Sequence, residues 1–192
     1  MELLIDLDKK LLLFLNSLNN PLWDNIMFSI SGKYFWIPFY LLIIAFIIKD
    51  KKKEAILYII CILIGFAFTE TVASSIFKPM VMRFRPSHDP EIGHLVHIVN
   101  NYRGGTYGYF SAHASNTFGL AFILFFTYQK KFKWMYLIII WASVVSYSRI
   151  YLGVHYPLDI LSGMICGMIS GKVMTLSYLK ISEKIHKKRD LN

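Results

Sequence analysis

Five stretches of the chain are almost continuously apolar: residues 34–48, 55–77, 113–128, 134–151 and 157–179. A helix that crosses a hydrocarbon core about 30 Å thick needs roughly 17–25 mainly apolar residues. The first and third stretches are short, and flanking Tyr and Phe residues extend them into the interface. Trp36, Trp134, Tyr34 and Tyr128 lie near the ends, where aromatic belts form. The pattern predicts an all-α protein: an integral-membrane bundle of about five transmembrane helices. Residues 2–31 hold apolar clusters broken by Asn16, Asn19, Asn20, Pro21, Asp24 and Asn25. An interfacial amphipathic helix fits this segment better than a sixth span, with a half-inserted segment as the alternative. Residues 1–192 then form one domain, with an interfacial segment at 1–31, a bundle at 34–179 and a basic tail at 180–192.

The connections orient the bundle. Residues 49–53 (KDKKK), residues 130–133 (KKFK) and a tail with Lys180, Lys184, Lys187, Lys188 and Arg189 are rich in positive charge. By the positive-inside rule these face the cytoplasm. The loop 79–112, the turn 148–156 and the N-terminus then face outward. Four of the five arginines, Arg83, Arg85, Arg103 and Arg149, fall on that outer side. Arginine binds phosphate in a bidentate fork better than lysine does, so these residues point to a bound anion. Gly163, Gly167 and Gly171 recur every four residues in the last span. Such a stripe admits a closely packed helix, from the same chain in the simpler reading or from a second copy in a homodimer.

Composition strengthens the membrane reading. Of 192 residues, 55% are hydrophobic and the mean hydropathy is +0.46, beyond the roughly 45–50% of soluble domains. The net charge of +9 does not indicate nucleic acid, because the lysines sit in short runs between spans rather than on one surface. Cys61 and Cys166 both lie in apolar runs and read as small buried hydrophobes. No cleavable signal peptide is expected, since Asp6 and Asp8 interrupt the N-terminus and the apolar run 11–15 is too short.

Chemistry concentrates in three clusters at the outer ends of spans. Lys78, Arg83, Arg85 and Pro86 follow the second span, and Pro79 disfavours helix at Lys78, so the chain is expected to leave the membrane there. Ser111, a good N-cap, precedes Ala112 and His113 at the start of the third span, where free amides and the helix dipole favour an anion. The third cluster runs from Ser148 and Arg149 to His155, Pro157 and Asp159. Pro157 suits the first helical turn. This places Asp159 where its carboxylate can reach back to His155, fixing the tautomer and freeing the other ring nitrogen to attack. Simple interfacial cations, a cap and a dipole partner are the bland explanations of the single clusters; no one of them accounts for all three.

Together the clusters resemble the signature of the type 2 phosphatidic acid phosphatase superfamily, K-x6-R-P, P-S-G-H and S-R-x5-H-x3-D. Lys78, Arg85, Pro86, Ser111, His113, Ser148, Arg149, His155 and Asp159 match, while Phe110 and Ala112 stand where the signature has Pro and Gly. The resemblance implies a membrane lipid phosphatase. His155 would attack phosphorus to form a phosphohistidine, oriented by Asp159, and His113 would protonate the leaving oxygen. Lys78, Arg85, Arg149, Ser111 and the amides near Ala112 would hold the phosphate. No metal or other cofactor is implied. It further implies a lipid phosphate substrate: undecaprenyl diphosphate or a lipid A phosphate is favoured, with phosphatidylglycerol phosphate and phosphatidic acid as further options. The setting implied is a bacterial inner (plasma) membrane with the site on its outer face.

Competing readings remain at this stage. His88, Asp89, Glu91, His94 and His97 in the outer loop offer metal ligands, without a compact ligand spacing. Glu70 lies inside the second span, two turns below Lys78, where an acid is costly and usually paired or functional; it is read as supporting the basic cluster. A lipid or anion transporter would also use the arginines, and gives no reason for His155 followed by Asp159. Vanadate-dependent haloperoxidase chemistry in the same pocket suits a five-span membrane protein poorly.

Overall fold

The computed structural model describes residues 2–189; residues 190–192 of the basic tail lie outside the described residues. Eight α-helices account for most of these. Two short ones, α1 (Glu2–Ser17) and α2 (Pro21–Ser31), precede the bundle. The predicted spans are α3 (Ile37–Lys51), α4 (Ala55–Thr71), α6 (Ala112–Tyr128), α7 (Leu137–Tyr151) and α8 (Pro157–Arg189). Two stretches are long and apolar enough to cross a bilayer by themselves, Lys33–Val81 and Pro157–Lys188. The shorter α6 and α7 complete the bundle between them. The basic tail is not a separate appendage, since α8 runs on through residue 189.

Pro79 does not end the second span. Residues Val72–Phe77 widen into a π-helix, followed by α5 (Lys78–Val81), and Lys78 itself is helical at φ −61°, ψ −46°. In the π register the Lys78 amide donates five residues back, to the Ala73 carbonyl. This wider turn carries the chain into Pro79, which needs no acceptor and would crowd an ordinary i−4 carbonyl. The helix stops at Met82, in the left-handed region at φ 47°.

The end of the bundle remote from the three clusters is tied by charge. Lys51 lies over the rings of Tyr58, Tyr128 and Tyr178 at 5.5, 4.9 and 5.1 Å, and Lys131 pairs with Asp50. Glu54 accepts hydrogen bonds from Tyr178 at 2.7 Å and Ser182 at 2.8 Å. The lysine-rich connections are thus gathered on one side.

At the other end α1 packs on α7 and α8, and α2 packs on α7. Helix α1 is amphipathic in the inverted sense. Its buried stripe is Asp8, Leu12 and Asn16, spaced four apart, while Leu3, Leu4, Leu7, Leu11 and Phe14 are exposed. The leucines on the outer face, beside the Asp6–Lys10 ion pair, suit a helix lying at the edge of the lipid, and two of the three inward residues are polar. Asn16 donates to the Tyr151 carbonyl at 2.7 Å and accepts from the His97 amide at 2.8 Å, joining α1 to the α7 terminus and the outer loop.

The glycine stripe serves the chain's own packing. A Cβ on Gly163 would meet the Ser111 carbonyl oxygen at 2.7 Å, one on Gly167 the Ser115 oxygen at 2.6 Å, and one on Gly171 the Ile123 nitrogen at 2.8 Å. Helices α6 and α8 therefore touch backbone to backbone, and α6 carries Ser111 to His113 while α8 carries Asp159. Gly167→Ala should lower thermal stability in detergent by about 1–3 kcal/mol, despite the better helix propensity of Ala. Gly105→Ala, where nothing lies within 4 Å of the added carbon, should stay within about 0.5 kcal/mol of wild type. Thermal unfolding of the two variants checks this.

Candidate active site

Short-range geometry brings the three clusters together. Residues 83–85 pair in an extended manner with residues 106–108: the Arg85 amide donates to the Thr106 carbonyl at 3.0 Å, and the Gly108 amide to the Arg83 carbonyl at 2.9 Å. In an extended segment side chains alternate. Phe84 turns away to pack against Tyr107, with ring centroids 5.4 Å apart and the planes tilted by 44°, while Arg83 and Arg85 point the same way, toward residues 155–159.

The turn between α7 and α8 sets the spacing of the third cluster. Gly153 closes α7 in the left-handed region at φ 66°, where a Cβ would lie 2.3 Å from Val96 Cγ1. The Val154 amide donates to the Arg149 carbonyl at 3.1 Å. After this reversal His155 is 1% exposed and Asp159 is fully buried. His155 Nδ1 is 3.4 Å from Asp159 Oδ2, which also accepts from the Tyr156 amide at 3.0 Å. On its other side, His155 Nε2 is 3.0 Å from Arg85 Nη1.

That last contact fixes the tautomer. A guanidinium only donates, so Nε2 carries the lone pair and Nδ1 carries the hydrogen, with Asp159 Oδ2 and the Gly108 backbone both at hand to accept it. Burial, and then the charges of Arg85, Arg149 and Lys78, hold the imidazole pKa well below its ordinary value. The ring is therefore neutral at neutral pH, with its free electron pair among the cations.

Three cations act on this ring, Arg85 in direct contact and Arg149 and Lys78 through space, and their hydrogen-bond partners are neutral groups. Arg85 donates to the Tyr107 and Val154 carbonyls at 3.2 and 3.1 Å. Arg149, 2% exposed, donates to Ser31 Oγ and, at 3.1 Å, to the Tyr102 hydroxyl, while its buried Nε has no partner. Lys78 donates to Ser74 Oγ at 3.1 Å. His113 lies within electrostatic reach of His155, Arg85, Arg149 and Lys78. Ser111 caps α6 by accepting from the Ala114 amide at 3.3 Å, and its own amide donates to the Asp159 carbonyl at 3.1 Å. The Ala112 and His113 amides open that helix, ahead of any i−4 acceptor. The Ala112 methyl sits in an apolar cluster with Ala73 and Phe110, which gives the departure from glycine a place in the packing.

Glu70 and Arg83, which the sequence offers as supports of the basic cluster, both make contact. Glu70 accepts from Ser74 Oγ at 2.7 Å and from Asn116 Nδ2 at 2.7 Å, so it reaches Lys78 through Ser74. Arg83 donates to Asp159 Oδ1 at 3.0 Å and to Asp8 Oδ2 at 2.7 Å. The outer-loop ligand candidates do not converge. Asp89 accepts from the Tyr156 hydroxyl at 2.7 Å, Glu91 pairs with Lys9 at 2.6 Å, His97 meets Asp24 at 3.0 Å, and His88 meets Ser87 at 3.0 Å. Among the described residues no three His, Cys, Asp or Glu side chains gather as a metal site would require. Ser31, Ser74, Tyr102, Gly108 and Asn116 were not singled out from the sequence. Gly108 is the closest of these to the pair, where a Cβ would lie 3.0 Å from Arg85 Cγ and 3.3 Å from Asp159 Oδ2.

Residues 35–183 match the family model of the PAP2 superfamily. The chain belongs to that superfamily. It is 41% identical over 173 residues to a protein named lipid A 4′-phosphatase from Bacteroides thetaiotaomicron, covering 88% of this chain and 76% of the relative. A protein of the same name from Porphyromonas gingivalis is 37% identical over 182 residues, covering 93% and 76%. Among solved structures, a transmembrane PAP2 type phosphatidylglycerolphosphate phosphatase from Bacillus subtilis superposes with a TM-score of 0.68 at 21% identity, over 96% of this chain and 89% of that one. LpxE from Aquifex aeolicus superposes with a TM-score of 0.63, also at 21% identity, over 86% and 92%. This PAP2 protein is accordingly a membrane-embedded lipid phosphatase with the fold of those enzymes.

The neutral His155 has a consequence for stability. Its pKa is depressed in the folded state, so below the ordinary value of about 6.5 the unfolded chain binds a proton that the folded chain does not. Stability should therefore fall as pH drops through about 6.5, by up to about 1.4 kcal/mol per unit from this group. Thermal unfolding of wild type and His155→Asn from pH 7.5 to 5 should show a shallower acid loss in the variant.

Proposed function

We propose that this PAP2 phosphatase removes a phosphate from lipid A, at the 4′ position, through a phosphohistidine on His155. One observation carries the chemistry: a buried imidazole whose Nε2 faces Arg85 at 3.0 Å while Arg149 and Lys78 act on it through space, each cation hydrogen-bonded only to neutral groups. Such a place binds a phosphate dianion and sets the nucleophile beside it. The choice of lipid rests on the two relatives named lipid A 4′-phosphatase, each similar over most of this chain.

Arg85 guards the nucleophile until substrate arrives. A phosphate oxygen forms a stronger, charge-assisted hydrogen bond with the guanidinium than a neutral ring nitrogen does. Incoming phosphate draws Arg85 Nη1 away and releases Nε2, 3.0 Å distant. Nε2 then attacks phosphorus and the P–O bond to the lipid breaks, while His113 gives a proton to the departing oxygen. As the imidazole becomes positive, Asp159 Oδ2 balances the charge at Nδ1. Arg85, Arg149, Lys78 and the amides at Ala112 and His113 hold the oxygens of the five-coordinate phosphorus. Water next cleaves the P–N bond, losing its proton to His113, and inorganic phosphate departs.

The lysine-rich connections gathered at the opposite end support a cytoplasmic assignment for that end. The site then opens to the outer face of a bacterial plasma membrane, where envelope lipids are presented. An undecaprenyl diphosphate substrate is the second reading. It is favoured by a 32% identical undecaprenyl-diphosphatase from Sulfolobus acidocaldarius, matched over 70% of this chain and 59% of that protein. A transporter reading shares the basic pocket and leaves the His155 tautomer without a purpose.

Phosphate release from purified protein should be fastest with lipid A bisphosphate in a panel that includes undecaprenyl diphosphate, phosphatidylglycerol phosphate and phosphatidic acid. His155→Ala should lower turnover by at least about 10³-fold, and EDTA should leave it unchanged. Undiminished release by His155→Ala would overturn the mechanism, and a preference for undecaprenyl diphosphate would overturn the choice of lipid.

A further inference from the structure

Asp8 stands outside the family signature and on a helix that precedes the matched residues 35–183. It is nonetheless 4% exposed and one side chain removed from the His155–Asp159 pair. Its Oδ2 accepts from Arg83 Nη2 at 2.7 Å, and its Oδ1 accepts from the Leu158 amide at 3.0 Å, in the first turn of α8. The other arm of Arg83 donates to Asp159 Oδ1 at 3.0 Å. The guanidinium lies 3.9 Å above the Tyr156 ring, whose hydroxyl donates to Asp89, itself 3.3 Å from Lys9 on α1. Helix α1 thus holds Arg83 directly and through the surface on which it stacks.

We propose that Asp8 is a positioning residue, acting through Arg83 to hold the Asp159 carboxylate against His155. The proposal rests on the reading of His155 as nucleophile. A guanidinium facing one carboxylate tends to engage both oxygens in a fork. That would draw Asp159 Oδ2 from His155 and from the Tyr156 amide. With one arm taken by Asp8, Arg83 reaches Asp159 through a single N–H, at Oδ1, and Oδ2 stays with the imidazole. Charge points the same way. Two carboxylates share one guanidinium, so negative charge remains at Asp159 to meet the positive charge that grows on His155 during attack. With Asp8 uncharged, Arg83 cancels that surplus.

Asp8→Asn keeps an oxygen for the Leu158 amide and removes the charge, which separates positioning from helix capping. Turnover of lipid A bisphosphate in mixed micelles, normalised to folded protein, should fall about 10- to 100-fold, the loss typical when a group orienting a reactive side chain is removed. KM should change less than about twofold, and rapid-quench trapping should show phosphoenzyme forming more slowly by the same factor as kcat. In an Arg83→Gln background the Asp8→Asn change should add no further loss. Asp6→Asn, exposed on the same helix, should keep wild-type kcat. Wild-type kcat in Asp8→Asn, a loss equal to the unfolded fraction, multiplying losses in the double variant, or an equal loss in Asp6→Asn would each overturn the proposal. His155→Ala is run in parallel. If it still turns over, the nucleophile reading and this proposal fall together; if it is inactive while Asp8→Asn matches wild type, only this proposal fails.

Discussion

Two buried arginines and a half-buried lysine at one end of a membrane bundle, each hydrogen-bonded only to neutral partners, form the constraint around which this protein is built. A buried charge without a counter-charge costs several kcal/mol unless its donors are occupied. The chain meets that cost with pieces drawn from distant places. Carbonyls of the loop at 107 and of the α7–α8 turn occupy Arg85. Ser31 and Tyr102 occupy Arg149, and Ser74, backed by Glu70 and Asn116, occupies Lys78. Glu70 and Asp159 act on these cations only through space, without a direct hydrogen bond to any of the three. Arg83 differs from its neighbours in having two carboxylates, Asp8 and Asp159.

The backbone devices around this cluster are few and each has a definite task. Backbone contact between α6 and α8, possible because Gly163, Gly167 and Gly171 carry no Cβ, sets the Ser111 cap beside Asp159. The extended pairing of residues 83–85 with 106–108 sends two arginines to one side. Gly153 reverses the chain so that Arg149 and His155 face a common centre. The apolar bundle below is a scaffold that holds these local features in register.

The His155–Asp159 pair was legible because its logic is local: four residues, one proline and one helix start. The spans were legible because lipid demands long apolar runs. Lys78 was misplaced because the rule for residues before proline is only a local bias, and the π-helix at Val72–Phe77 eases the other obstacle to a helical proline, the i−4 carbonyl, so that the helix carries on through it. Asp8 was hidden for the opposite reason. Its partners are 75 residues away at Arg83 and 150 away at Leu158, beyond any pattern in its own segment. The i, i+4, i+8 spacing of Asp8, Leu12 and Asn16 was the available signal. Read with the leucines around it, that spacing marks a helix that turns its polar side to protein and its apolar side to lipid.

The inverted helix α1 also bears on how the protein is made. Asp8 precedes all five spans, whereas Leu158, whose amide it accepts, and Asp159, with which it shares Arg83, open the fifth. A nascent chain carrying the first four spans already holds Lys78, Arg85, His113 and Arg149, yet has neither the carboxylate that aims His155 nor the helix end that receives Asp8. The set of side chains that meets around His155 is therefore complete only when the fifth span is in place.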